Sequence, residues 1–144
     1  MPITYDALMN HHLPDVRQHV TPRDAILYAL SVGIGQDPMD TRQLDFVDQH
    51  RALRALPTMA VVLAQPGFWL QLVHGEQGIM LHQPLPTAGV ITGRTRVTGL
   101  VDKGPGRGAL LYTEKLLTDD AGTLLATLTA TVFLRGDGGF GGPA

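Results

Sequence analysis

An α+β domain in which an antiparallel sheet wraps around one central helix is predicted by three observations. The segment from Ala25 to Val32 is apolar nearly all the way round a helix. The second half of the chain is a series of strand-like runs separated by short turns. The last run alternates strictly, with Leu124, Ala126, Leu128, Ala130, Val132 and Leu134 on one face and Thr127, Thr129, Thr131 and Phe133 on the other. A helix without a polar face must be covered on several sides, and a long antiparallel sheet with one buried face can cover it.

Residues 1–20, rich in His and Pro, show no period and read as a lead-in segment. Thr21-Pro22-Arg23-Asp24 then marks a helix start. Thr21 can cap, Pro22 suits the first helical position, and Asp24 stands near the positive end of the helix dipole. Gly33 and Gly35 close this helix, followed by a turn at Asp37-Pro38. Arg42 to Arg54 is polar and amphipathic, in part helical. Thr58 to Leu63 and Phe68 to His74 are short apolar runs bounded by Pro66-Gly67 and Gly75, so strands are expected. Further strands are expected at Val90 to Leu100 and Ala109 to Thr118, the second ending in the turn Asp119-Asp120-Ala121-Gly122. Such a sheet leaves an edge strand, and pairing with a second unit of the same kind would cover it.

Composition narrows the function. The chain has 144 residues, a size that suits one domain spanning residues 1–144. A net charge of −2 and scattered basic residues exclude a nucleic-acid footprint. With no cysteine there is no disulfide, thiol nucleophile or thiolate metal site. No apolar run approaches the ~18 residues of a membrane span, and the first residues do not read as a signal peptide, so a cytoplasmic protein is expected.

Several motifs fail on spacing or context. His11-His12-Leu13-Pro14-Asp15 leaves too few residues between the second His and the Asp for an acyltransferase site. Gly104-Pro105-Gly106-Arg107-Gly108 precedes a strand rather than opening a helix, so it is not a phosphate-cradling loop of the dinucleotide or nucleotide type. No His and carboxylate set has metal-ligand spacing.

Other motifs carry a resemblance. In order along the chain they are Leu56-Pro57-Thr58, His74-Gly75-Glu76-Gln77, Pro84-Leu85-Pro86, Asp102-Lys103-Gly104, and Phe133-Leu134-Arg135-Gly136 with the ending Gly138-Gly139-Phe140-Gly141-Gly142. Together they resemble the N-terminal half of the (R)-specific enoyl-CoA hydratases, a MaoC-like family with the hot-dog fold, over roughly residues 21–142. The resemblance implies that His74 and Gly75 line the groove for a CoA thioester, where Gly75 would allow close approach to the backbone. It implies that Lys103 reaches the phosphorylated end of CoA as a point charge, with Arg107 a second, weaker candidate. It implies that the glycine-rich ending is a junction packed against a neighbouring unit, with Phe140 as its anchor.

The same resemblance shows what is missing. The catalytic half of these enzymes carries Tyr-Arg-Leu-Ser-Gly-Asp-x-Asn-Pro-Leu-His-x-Asp-Pro, whose Asp and His move the protons of the added water. Here Gly33 falls where that Asp belongs and Gly35 where the Asn belongs, and the His is absent. The expectation is therefore an acyl-CoA-binding, non-catalytic half of a hydratase or dehydratase of fatty acid metabolism. It would pair with a separate catalytic hot-dog chain, bind no metal, and need no cofactor beyond the CoA of its substrate. Two alternatives stand beside it. One is an autonomous homodimeric hydratase or thioesterase using Glu76 or Asp37; the other is a non-enzymatic acyl-CoA-binding protein.

Overall fold

The computed structural model describes residues 4–67 and 72–142. Strands β1 (Val16–Val20), β2 (Leu72–Leu81), β3 (Gly89–Asp102), β4 (Ala109–Thr118) and β5 (Leu124–Leu134) form one sheet in the order β1-β3-β4-β5-β2. Every neighbouring pair is antiparallel. The helices are α1 (Tyr5–Met9), α2 (Pro22–Ser31) and α3 (Leu44–Val47), with 3-10 turns at Thr41–Gln43 and Pro57–Val61. β4 and β5 begin and end where the alternation and turn residues place them.

Helix α2 starts as expected. The Asp24 carboxylate accepts from the Thr21 backbone N–H (2.8 Å) and from the Thr21 hydroxyl (2.7 Å), and these bonds lower its pKa. Its burial differs from the expectation. Only Ala25 and Ala29 are buried, while Leu27, Leu30 and Val32 remain about half exposed, at 50%, 50% and 52%. The apolar symmetry of this helix is real, but its own chain buries one side of it, where Ala25 joins the main core cluster and α3 packs alongside. Leu30→Asp is thus expected to leave the chain folded, with a thermal unfolding midpoint within a few degrees of the parent's.

The helical segment that the sheet does cover lies elsewhere. Thr58 to Leu63, expected as a strand, is the 3-10 turn Pro57–Val61 and the turn that follows it. Pro57 opens it at the first helical position. Met59 and Leu63, and Ala60 and Ala64, then fall four residues apart and are all buried to 3% exposure or less. The segment ends at Ala64, whose φ of 47° is left-handed and whose N–H donates to Gln18 Oε1 at 2.7 Å.

Two other segments depart from the sequence reading. The lead-in contains α1 and the edge strand β1, in which Val16 and Val20 face inward and Arg17 and His19 outward. Of the expected strand from Phe68 to His74, residues 68–71 lie outside the described ones, and β2 runs on past His74 to Leu81.

Register stacks the inward-facing side chains into rows. Gly93, Leu117 and Ala126 form one, Thr95, Lys115 and Leu128 the next, then Val97, Thr113, Ala130 and Gln77, then Leu100, Leu111, Val132 and His74. One buried cluster joins Met59, Ala60, Leu63 and Ala64 to Ile91, Leu117, Ala126 and Leu128. A second gathers Leu8, Leu100, Ala109, Leu111 and Leu134 near the other end of the strands. No helix of the described residues is long and apolar enough to cross a membrane.

Candidate functional site

Between the two clusters the inner face of the sheet leaves a cavity of about 400 Å³. Its walls include Leu72, His74 and Gln77 from β2, Thr95 from β3, and Leu111, Thr113 and Lys115 from β4. Leu128, Ala130 and Val132 of β5 and Leu13 and Val61 complete much of the rest. The lining is largely apolar with a few polar groups set into it, a composition suited to an elongated apolar ligand with a functional end.

His74 lines this cavity and is itself exposed. Its Nε2 lies 3.3 Å from Gln77 Oε1. The Gln77 amide nitrogen donates to the carbonyl oxygens of Thr129 (2.9 Å) and Gly78 (3.1 Å), so its oxygen is left to accept. That orientation makes Nε2 the N–H of the neutral imidazole and leaves Nδ1 as an acceptor. Gly75 sits in a β-bulge between His74 and Glu76. A β-carbon there would lie 3.1 Å from the Thr131 carbonyl oxygen, so the sheet itself favours a glycine. The bulge also separates the two flanking side chains: Glu76 pairs with Thr131 on the outer face and accepts from its hydroxyl at 2.8 Å.

Lys103 is not beside His74. It stands exposed in the loop between β3 and β4, and among the described residues its side chain has no ion-pair partner. His74 is in register, through Val132 and Leu111, with Leu100 on β3, so the two residues are ~14 Å apart across the sheet before the loop is added. The loop is tied to the glycine-rich ending by Asp102. Its carboxylate accepts from the N–H groups of Gly104 (2.8 Å), Gly139 (2.8 Å) and Gly141 (2.7 Å). Those backbone donors, Gly139 first, hold its pKa below the ordinary value of 3.8.

The clamp holds the ending on its own domain, where Phe140 packs with Leu8, Leu100 and Leu134. The pKa direction gives a pH test. A carboxyl depressed on folding stabilises fully above its ordinary value and loses that contribution as pH falls through the lower folded value. Amide exchange at Gly139 and Gly141, taken relative to the intrinsic rate at each pH, is therefore expected to stay equally slowed until below the ordinary aspartate range. Asp102→Ala should accelerate it at neutral pH.

Lys115 and Thr95 were not singled out by motif. The signal available was alternation: Ala109, Leu111, Thr113, Lys115 and Leu117 share the inward face, so a lysine sits in an apolar row. Lys115 is 6% exposed, and its ammonium donates to the carbonyls of Leu63 (2.7 Å) and Val61 (3.1 Å). Burial pushes its pKa down to about 8.

The carboxylates proposed for an autonomous site lie off the cavity. No Asp or Glu is among its described lining residues. Asp37 accepts from the Met39 N–H in the turn after α2, and Glu76 is on the opposite face. Gly33 and Gly35 hold left-handed φ values of 93° and 83° at the helix end, offering no proton-transfer group.

An antiparallel sheet laid over a buried helical segment, with an apolar cavity along its inner face, defines a MaoC-like hot-dog domain. The crystal structure of a MaoC-like dehydratase from Phytophthora capsici matches with a TM-score of 0.74 at 25% identity, covering 96% of this chain and 53% of that one. The ChsH1–ChsH2 complex from Mycobacterium tuberculosis matches in fold, with a TM-score of 0.64 at 16% identity over 94% of this chain and 100% of that chain. Peroxisomal enoyl-CoA hydratase 2 of Arabidopsis thaliana is 37% identical over 153 residues, covering 94% of this chain and 48% of the relative. Residues 19–136 match the MFE-2 hydratase 2 N-terminal domain, and the chain belongs to that family. It spans about half the length of the curated relatives it matches.

Proposed function

We propose that this chain is the acyl-CoA-binding, non-catalytic half of an (R)-specific enoyl-CoA hydratase or 3-hydroxyacyl-CoA dehydratase. The observation that carries the reading is a ligand-sized, mostly apolar cavity with His74 at one side and no carboxylate among its described lining residues. Such a cavity can hold an acyl tail, yet it lacks the acid–base pair that water addition requires. The reacting carbons would therefore sit in a second hot-dog unit, as a separate chain or as a continuation of the same polypeptide.

The surface favours such a companion. Among the described residues β2 is hydrogen-bonded on one side only, to β5, which leaves a long free edge. Val73, Ile79 and Met80 on that strand are exposed, as are Leu27, Leu30 and Val32 on α2. A second hot-dog unit pairing along β2 would satisfy the free backbone groups and cover apolar surface.

On this reading the CoA phosphates lie by the β3–β4 loop, where Lys103 and Arg107 supply cations that have no ion-pair partner among the described residues, beside the clamped glycines. Lys103→Ala is expected to weaken CoA binding roughly tenfold at low salt. The difference should shrink as ionic strength rises and screens the exposed charge. Calorimetric titration of the parent and the variant with CoA at two salt concentrations checks it. The reading as a whole is tested by hydration of a trans-2-enoyl-CoA. The chain alone should give no turnover, and Asp37→Asn or Glu76→Gln should change nothing in a complex that does turn over. Turnover by the purified chain, lost in either amide variant, would replace the proposal with an autonomous enzyme.

A further inference from the structure

The cavity contains hydrogen-bonding capacity that the fold does not use. Lys115 has three N–H donors and two carbonyl acceptors, so among the described residues one donor is left without a partner. Thr95 stands directly opposite Lys115 in the β3–β4 register, and among the described residues its buried hydroxyl has no partner. Paired residues on one face of an antiparallel sheet hold their β-carbons ~5 Å apart, so the two side chains border one spot on the cavity wall. Both line the cavity, and among the described residues no carboxylate pairs with Lys115.

The spot lies at a distance that suits the far part of a bound chain. Lys115 is four residues along β4 from Leu111, which shares its row with His74. A chain running from the His74 row to the Lys115 row would extend ~13 Å along the strands. A plain hydrocarbon tail would press methylene groups against an ammonium and a hydroxyl and exclude water from both, which is unfavourable for each. An oxygen on the tail would accept the remaining N–H of Lys115, and a carboxylate would in addition compensate the buried charge.

The geometry points to acyl groups that carry an oxygen acceptor far from the thioester, a carboxylate above all, received by Lys115 and Thr95. This names the substrate class within the acyl-CoA-binding reading and rests on it. A keto or hydroxyl oxygen satisfies the hydrogen bonds alone, so the order of preference is carboxylate, then keto or hydroxyl, then plain chain.

The test is calorimetric binding of CoA thioesters matched in chain length, each as the plain, ω-hydroxy and ω-carboxy acyl group. The ω-carboxy thioester should bind roughly tenfold more tightly than its plain counterpart at one or more lengths. Lys115→Met should erase that preference, weakening the ω-carboxy thioester and tightening the plain one. Thr95→Val should reduce it with Lys115 intact, and supplies the answer if the methionine variant does not fold. Equal or tighter binding of plain thioesters at every length overturns the inference, and so does a preference that survives in both variants. Binding without preference leaves the acyl-CoA reading standing; no binding by any thioester removes both.

Discussion

Gly93→Val is expected to lower the thermal unfolding midpoint by roughly 10 °C, a loss on the order of 3 kcal/mol. The reason is purely steric, since Gly93 has ordinary strand backbone angles. A β-carbon on Gly93 would lie 2.6 Å from the carbonyl oxygen of Ala64 and 2.7 Å from its β-carbon. Neither neighbour is the movable end of a long side chain. Relief requires Pro57 to Ala64 to lift from β3, and that movement disturbs several contacts at once. Met59, Ala60 and Leu63 would leave the main core cluster, the bond from Ala64 N–H to Gln18 would stretch, and the carbonyls that hold Lys115 would shift. Urea unfolding with an unchanged slope and a lowered midpoint would confirm the loss as native-state strain. A variant as stable as the parent would show that the Pro57–Ala64 segment is not held against β3.

The second large effect concerns pH. The folded pKa of Lys115, about 8, lies below its ordinary value of 10.5 because burial disfavours the ammonium. Between those values the unfolded chain holds a proton that the folded chain has released. Stability should therefore rise as pH rises from about 8 to 10.5, by roughly 2–3 kcal/mol. Below about 8 both states carry the charge and this group contributes no slope. In Lys115→Met that difference in slope should vanish. The variant also leaves the carbonyls of Val61 and Leu63 without their donor, at about 1–3 kcal/mol each, while relieving a buried charge. Near neutrality these oppose each other, and at the alkaline end the parent should be clearly the more stable. Denaturant titrations of both proteins across this range read the effect directly. Parallel curves would mean that Lys115 is solvated in the folded chain.

What the sequence made legible follows from how locally each feature is determined. β5 and β4 could be delimited because alternation and the turn at Asp119-Asp120-Ala121-Gly122 are local signals. The start of α2 was legible for the same reason, at Thr21-Pro22 and Asp24. The path of the chain over the inner face was not. The run from Thr58 to Leu63 is short and apolar, and periodicity alone does not separate a buried strand from a buried helical turn. The burial that decides it, at Met59 with Leu63 and Ala60 with Ala64, depends on Gly93, far away in sequence. α2 misled in the opposite way. Its apolar character implies burial, but the single chain leaves Leu27, Leu30 and Val32 uncovered, a face suited to a companion unit. At the site, His74 and Lys103 were found through motifs and prove to be three strands apart. Lys115 and Thr95 meet only once the β3–β4 register is known, so no motif could have joined them.

The proposed function gives this domain the acyl-CoA-binding role beside a separate catalytic hot-dog unit. The most direct measurement is the native mass and enoyl-CoA hydratase activity of the assembly isolated by a tag on this domain from its own source cells. The expected result is an active species with an equal share of a second hot-dog unit carrying the Asp-x-Asn-Pro-Leu-His motif, either as another chain or joined to this one. A homodimer of this domain alone that hydrates the substrate, with no such motif present, would contradict it.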